Sequence, residues 1–487
     1  MTLNNRLLCL LFSLLLFVSC SKSVTEKEQE PPTPVVEAIE ISSFSFSKDL
    51  NASLDKDLVL EEHTDQFSGQ LPGYLSRKLI PTFNSNAHKV LVNNIAQISG
   101  VTEVDFSAPV RYTFFGNNGA TREVTVLFDW VSFAIPHLAI TIDEAKEVTE
   151  KETYLKATLR IAGNKLYPDY EGTTEIRGRG NSTWGYAKKP YRLKLTNKAQ
   201  ILGLPAAKNW VLLANYLDPS LMCNAVAMKI GRDLEVPFTN QIIPVDLTIN
   251  GQYRGSYVLT QHLEVDENRI NIGKDGTLFE LDTYFDEEYK FRSAHYNLPI
   301  MIKAPELAAA AQIEPIKADF QTLEALIFAP GFPTNAYTDR LDINGLVKYM
   351  LVYFITGNEE INHPKSIYMH KKGGGKYSFG PIWDFDWAYG YEASGTHFTN
   401  ADRSLFWTGG SAGTVFFNRL LQDPKVKAAF KTQWSSYKQA SFPSLLTFID
   451  EDARLIQHSK AEDEKQWKKG KDFQQEVSKL KTYLQNR

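Results

Sequence analysis

Short alternating runs of apolar and polar residues fill the chain between residues 38 and 133. Ile39, Ile41, Phe44 and Phe46 open the pattern, Val90 and Val92 continue it, and Val124, Val126 and Phe128 close it. A period of two puts every second side chain on one sheet face. Turn residues such as Asn117, Asn118 and Gly119 separate the runs. This pattern predicts an all-β sandwich over 38–133. From residue 136 the pattern changes. Strand-like runs come first, at 191–195, 210–213, 242–249 and 255–260, and helical periodicity follows, at 345–355, 414–421, 425–437 and 473–485. A strand-rich portion followed by a helix-rich one predicts a two-lobed α+β domain over 136–487. The charged stretch 462–471 reads as a solvated helix face.

The first twenty residues stand outside either fold. Arg6 precedes an apolar run from Leu7 to Val18, too short for an ordinary membrane span and flanked as a signal peptide is. The stretch Leu16-Phe17-Val18-Ser19-Cys20 resembles a lipobox, in which the cysteine is lipidated and becomes the new N-terminus. Residues 21–37 are polar, with Glu26, Glu28 and Glu30 before Pro31, Pro32 and Pro34, and are expected to form a disordered tether. An acid-rich stretch after the lipidated cysteine resembles the export signal of Bacteroidetes surface lipoproteins. The expected location is therefore the bacterial cell envelope, lipid-anchored at the outer membrane or cell surface. The chain has 3 cysteines, and with Cys9 removed and Cys20 lipidated, Cys223 is left alone and expected to be buried.

Composition narrows the partners. With 57 acidic against 53 basic residues, the net charge of -4 gives no electrostatic reason to expect nucleic acid. The 29 Phe, 22 Tyr and 8 Trp suit β-rich cores, or a surface for sugars or peptides.

Two segments carry candidate chemistry. In the first, Arg177, Gly178, Arg179, Gly180 and Asn181 lead through Ser182 and Thr183 to Trp184. The glycines allow a tight turn and close backbone approach to a ligand, and the arginines can pair with phosphate or carboxylate. On the strand that follows, Tyr191, Leu193 and Leu195 share one face, and Arg192 and Lys194 the other. A strand lysine directed toward a glycine turn is an arrangement that holds nucleotide phosphates. The same residues also suit a plain hairpin with solvent-facing cations. In the second segment, Glu360 and Asn362 begin one arm of an expected hairpin whose turn is Gly373-Gly374-Gly375. Asp384 and Asp386 end the other arm and share a side if the strand continues through Phe385. Gathered carboxylates are costly unless they hold a cation or a proton, and magnesium fits. Capping of a turn is the other use of the aspartate pair. His363 and His370 have no metal-ligand spacing and read as packing or surface residues.

In order and spacing, five phrases resemble the CotH kinase family: residues 177–184, 188–195, 210–216, 250–257, and Trp383-Asp384-Phe385-Asp386. The resemblance implies an atypical protein-kinase-like fold using ATP and magnesium. It implies Asp384, with Asp386 beside it and Asn362 nearby, as the metal site, and Glu360 at the position of the catalytic aspartate. Lys194, with Lys189 as alternate, is expected to hold phosphate, and Gln261 to pass the nucleotide base. Upstream, residues 38–133 resemble an immunoglobulin-like module. The expected activity is phosphate transfer from Mg-ATP to a protein hydroxyl. Little ATP exists outside the cytoplasm, so the alternative is a catalytically silent surface protein that binds glycan or protein. A third reading is a glycoside hydrolase using Glu360 with Asp384.

Overall fold

The computed structural model describes residues 38–487 except 55, 74, 118, 132–133, 393–394 and 406–408. The expected signal peptide, the lipidation site Cys20 and the tether all lie outside the described residues. No helix among those described is long and apolar enough to cross a membrane.

The first unit is all β. A three-stranded sheet centred on Ile41–Phe46 faces a six-stranded sheet that contains Gln66–Pro72, Thr121–Val131 and Val110–Phe115. Alternation builds the core: Val110, Tyr112 and Phe114 point inward while Arg111 faces solvent. Tyr112 meets Phe44 edge-on, with ring centroids 5.1 Å apart.

Next comes a closed barrel of seven strands. In order around the barrel they are His137–Ile142, Leu155–Ala162, Tyr170–Gly178, Tyr191–Ala199, Ala207–Leu213, Gln252–Gln261 and Ile243–Ile249. Parallel pairing of the last with the first closes the ring. Leu138, Leu159, Ile176, Leu193, Leu195, Trp210, Leu212, Leu247 and Leu259 fill the interior and are fully buried. A filled barrel has no lumen for a ligand.

The remainder is a five-stranded sheet within a helical layer. Its helices are α1 (Cys223–Asp233), α2 (Ile313–Phe328), α3 (Ile343–Thr356), α4 (Ala412–Leu420), α5 (Pro424–Ala440), α6 (Phe442–Trp467) and α7 (Phe473–Asn486). Helix α3 is central, with Leu346, Tyr349, Met350, Tyr353 and Ile355 fully buried, as an all-round apolar helix must be. The arrangement is α+β. The sequence pattern locates α3, α4, α5 and α7 to within three residues at each end, but gives no sign of α1 or α2 and catches only the charged end of α6. Helix α6 ties the three parts together: Glu451 accepts the Ser76 backbone N–H at 2.6 Å, and Asp463 reaches the barrel.

The expected hairpin is present, as Ile367–Lys371 paired with Tyr377–Phe379. Its second strand ends at Phe379 and does not run through Phe385. Gly380 and Pro381 break the ladder, and proline cannot donate to it.

Candidate functional site

Strands Tyr170–Gly178 and Tyr191–Ala199 pair antiparallel, with Gly178 opposite Tyr191. Between them the chain swings out over the barrel rim. Gly180 has φ +86°, and a Cβ there would collide with the Thr183 hydroxyl, so this turn requires glycine. Gly178 packs under Trp184, and its N–H donates to the Glu150 carbonyl at 2.9 Å. Arg179, Gly180, Asn181, Ser182 and Thr183 form one wall of a cleft of about 240 Å3. Asp282, Lys303, Lys365, Asp384 and Asp386 line the other. The structure thus brings the glycine turn and the aspartate pair to a single cleft between barrel rim and helical part.

The acidic wall is under electrostatic tension. Burial raises the Asp384 carboxyl above its ordinary value, against the pull of Arg179 and Lys365. Burial, then the charges of Asp384 and Asp218, push Asp386 up to about 7. Asp384 also holds a left-handed backbone, φ 62°, a strained conformation for a residue with a side chain. The Asn224 amide, on α1, donates to Asp386 Oδ1 at 2.5 Å, and Asn224 Oδ1 accepts the Phe385 N–H at 2.9 Å. Asp282 accepts the N–H groups of Tyr284 and Ser366 at 2.8 and 3.0 Å, and burial pushes it up to about 6. On the facing turn, burial lowers the Arg179 guanidinium while Asp384 and then Tyr368 hold it up.

Magnesium is normally held by one or two carboxylates, with phosphate oxygens and water completing its octahedron. Asp384 and Asp386 fit that partial set: both are buried carboxylates that line the cleft side by side, and a cation between them would offset the burial that opposes their charge. No group of three or more His, Cys, Asp or Glu among the described residues forms a ready-made metal cage.

Several expected site residues lie elsewhere. Lys194 projects from the outer face of the barrel, 3.7 Å from Glu175 and beside Tyr154. Lys189 folds back to donate to the Trp184 carbonyl at 2.7 Å. Neither lines the cleft, so the expected phosphate-holding lysine is corrected. Strand alternation does place Lys194 opposite Leu193, but closure of the barrel turns that face away from the site. Arg177 also leaves the cleft, donating to the Lys151 carbonyl and covering the Tyr154 ring at 4.9 Å. Gln261 is buried and donates to the Pro205 carbonyl at 3.1 Å; the next residue, His262, is the one at the cleft. Burial, reinforced by Arg192 and Arg179, drives the His262 imidazole well below its ordinary value, so it is neutral.

Asn362, expected beside the metal, does not line the cleft. It is fully buried, donates to the Glu359 and Leu405 carbonyls and accepts the Thr414 hydroxyl at 2.8 Å, clamping the start of α4. Glu360 sits one layer behind the cleft wall, 3.5 Å from Lys365. Burial, then Asp384, lift its carboxyl well above the ordinary range.

Among the cleft residues that escape the sequence reading are His262, Asp282, Lys303 and Lys365. Asp282 directly follows the strand-like alternation Leu278-Phe279-Glu280-Leu281, a usable signal. Lys365 has its ammonium 4.1 Å from the Trp387 ring centre. Burial opposes its charge, but Glu360, Tyr284, Asp384 and Asp282 together hold its proton above the ordinary lysine range. Lys303 lies 3.3 Å from Glu280 and also pairs with Glu287.

None of the curated proteins matches the chain. A family model described as CotH kinase protein matches residues 176–487, well over half the chain, from the strand that enters the glycine turn through α7. The match spans both walls of the cleft, and the chain belongs to the CotH kinase family.

Proposed function

We propose that the cleft binds a magnesium nucleotide and transfers its terminal phosphate to a hydroxyl, with barrel and helical part acting as the two lobes of a kinase-like domain. The observation that carries this reading is the placement of Arg179 and the Gly180 turn opposite Asp384 and Asp386 in one cleft. Phosphoryl transfer needs mainly positioning and charge neutralisation. Backbone N–H groups of the 179–183 turn, with Arg179 and Lys303, would hold phosphate oxygens. Asp384 and Asp386 would hold magnesium, which when bound neutralises the charge on those oxygens. In the transfer, the acceptor oxygen bonds to the terminal phosphorus, the bridging P–O bond breaks and the nucleoside diphosphate leaves. The acceptor's proton goes to a carboxylate. Glu360 is the group the family resemblance assigns, acting through the layer that holds Lys365. Asp282, at the cleft surface and pushed up to about 6, is the group able to accept it directly.

Upstream, the two-sheet unit is read as an immunoglobulin-like spacer, and Cys20 as the lipid anchor holding the protein in the cell envelope. The partner is a protein or a surface glycan rather than nucleic acid. A second reading, nucleotide-free binding without transfer, draws support from Lys194, which is exposed on the outer face of the barrel.

Calorimetry with ATP and magnesium on the purified chain, repeated with Asp384→Ala, separates the two. Heat from the parent and none from the variant supports the nucleotide site that transfer requires, whereas no heat from either refutes it. Given nucleotide binding, loss of phosphate incorporation in Asp282→Asn but not in Glu360→Gln identifies Asp282 as the base, and the reverse identifies Glu360.

A further inference from the structure

A second groove, of about 350 Å3, adjoins the cleft, and Lys188, Asn215, Tyr216 and Leu217 line both. We propose that this groove, floored by Tyr216 and Trp467 and rimmed by Lys468, Lys469 and Lys471, binds an acidic polypeptide segment that presents the acceptor hydroxyl to the cleft. The transfer step rests on the reading above, but the binding does not.

Charge carries the argument. Both carboxylates in the groove lining are already engaged. Asp463 accepts from Lys188 and from the Ser256 N–H at 2.5 and 2.9 Å. Asp218 accepts the Ser220 hydroxyl at 2.6 Å and the Cys223 N–H at 2.7 Å, holding the start of α1. Lys460 pairs with Glu464 at 3.1 Å. Lys468, Lys469 and Lys471 form no ion pair among the described residues. The groove therefore presents uncompensated positive charge on a chain of net charge -4, and anions are what it attracts.

The aromatic residues favour a polypeptide over a glycan. Sugar rings stack on free aromatic faces, and Tyr216 has none. One face stacks on Tyr186 with centroids 5.6 Å apart, the ammonium of Lys469 sits 3.5 Å from the ring centre, and Trp467 meets it edge-on at 6.3 Å. The Trp467 indole N–H is spent on the Arg254 carbonyl at 3.0 Å. What remains available is a row of separate ammonium groups, suited to carboxylates spaced along an extended chain.

The test uses the purified chain and fluorescent peptides carrying one serine among glutamates, lysines or neutral residues, read by anisotropy without nucleotide. The glutamate peptide is expected to bind best and to weaken with added salt. Reversing Lys468, Lys469 and Lys471 to glutamate together should weaken it about tenfold or more, with the heat of nucleotide binding and the unfolding temperature unchanged. Equal binding of the three peptides, or tighter binding of a polyuronate than of the glutamate peptide, overturns the proposal. Acidic-peptide binding without phosphate incorporation supports the groove and sinks only the transfer reading.

Discussion

The pair Lys188–Asp463 fastens the glycine turn to α6 and offers the sharpest test of how the cleft is held. Its side chains are 1% and 4% exposed, and their charged atoms lie 2.5 Å apart. Burial lowers the Lys188 ammonium from the ordinary lysine value, and the Asp463 charge and hydrogen bond are what hold its proton on. The same carboxylate oxygen takes the Ser256 N–H, and Lys188 also donates to the Ser256 carbonyl. Removing one partner of such a pair strands a buried charge, a loss of about 3–5 kcal/mol. Lys188→Met or Asp463→Leu alone should fall in that range. Changing both removes the stranded charge and leaves the Ser256 N–H and carbonyl unmet, about 1–3 kcal/mol each. The double variant is therefore expected to lose less than the two single losses added together.

Because several cores are present, a site-specific probe is better than a bulk transition. Cys223 is fully buried at the start of α1, so its labelling by a thiol reagent across a urea series, read from the mass of its peptide, reports opening of the helical part. Single-variant losses below about 1 kcal/mol, the range of exposed pairs, would refute the reasoning. So would a double variant as weak as the sum of the singles.

Gly180→Ala forces a side chain into the left-handed region, about 1–2 kcal/mol of strain. It should weaken nucleotide binding in calorimetry, while Gly185→Ala, with open space around it, should not. Asn362→Ala should cost about 2–3 kcal/mol in urea unfolding by leaving buried carbonyls unmet, yet leave the magnesium dependence of nucleotide binding intact. Lys194→Ala should change nucleotide affinity not at all, as a titration will show. Asp452, buried and pushed up to about 7 mainly by burial, binds a proton in the fold that the unfolded chain gives up. Its contribution is complete below pH 4 and lost as pH rises through 7. Asp452→Asn should therefore gain on the parent above pH 7 by up to about 4 kcal/mol, the gap closing toward pH 4. A gap in thermal unfolding that does not change with pH would contradict this.

The local elements were legible because their periodicity is local. Phe44 and Phe46, Val90 and Val92, and Val124 and Val126 are buried as their alternation requires, and the helical period over 345–355 covers most of α3. Closure of the barrel was not legible, because it depends on pairing His137 with Asp246 and Ile140 with Ile249, partners that no window along the chain brings together. Helix α1 was missed because its buried residues include Cys223, Asn224, Ala225, Ala227 and Gly231, too small or too polar to show as an apolar stripe. Helix α6 does carry Leu445, Ile449, Ala453 and Ile456 at helical spacing, but its charged far end dominates the pattern.

The site follows from that same closure. A barrel packed with leucine has no place for a ligand inside it, and Lys194, on the outer face, is kept out of the cleft by the alternation that first made it attractive. What remains is the rim, where strands stop. Arg179 is the first residue after Tyr170–Gly178, and His262 the first after Gln252–Gln261. In the adjoining sheet, Asp282 is the first after Thr277–Leu281. Each is polar, each follows directly on the last residue of a strand, and each lines the cleft. The informative position in such a chain is therefore the first polar residue past the end of a strand, and Gln261, still paired with Trp210 in the ladder, falls one residue short of it.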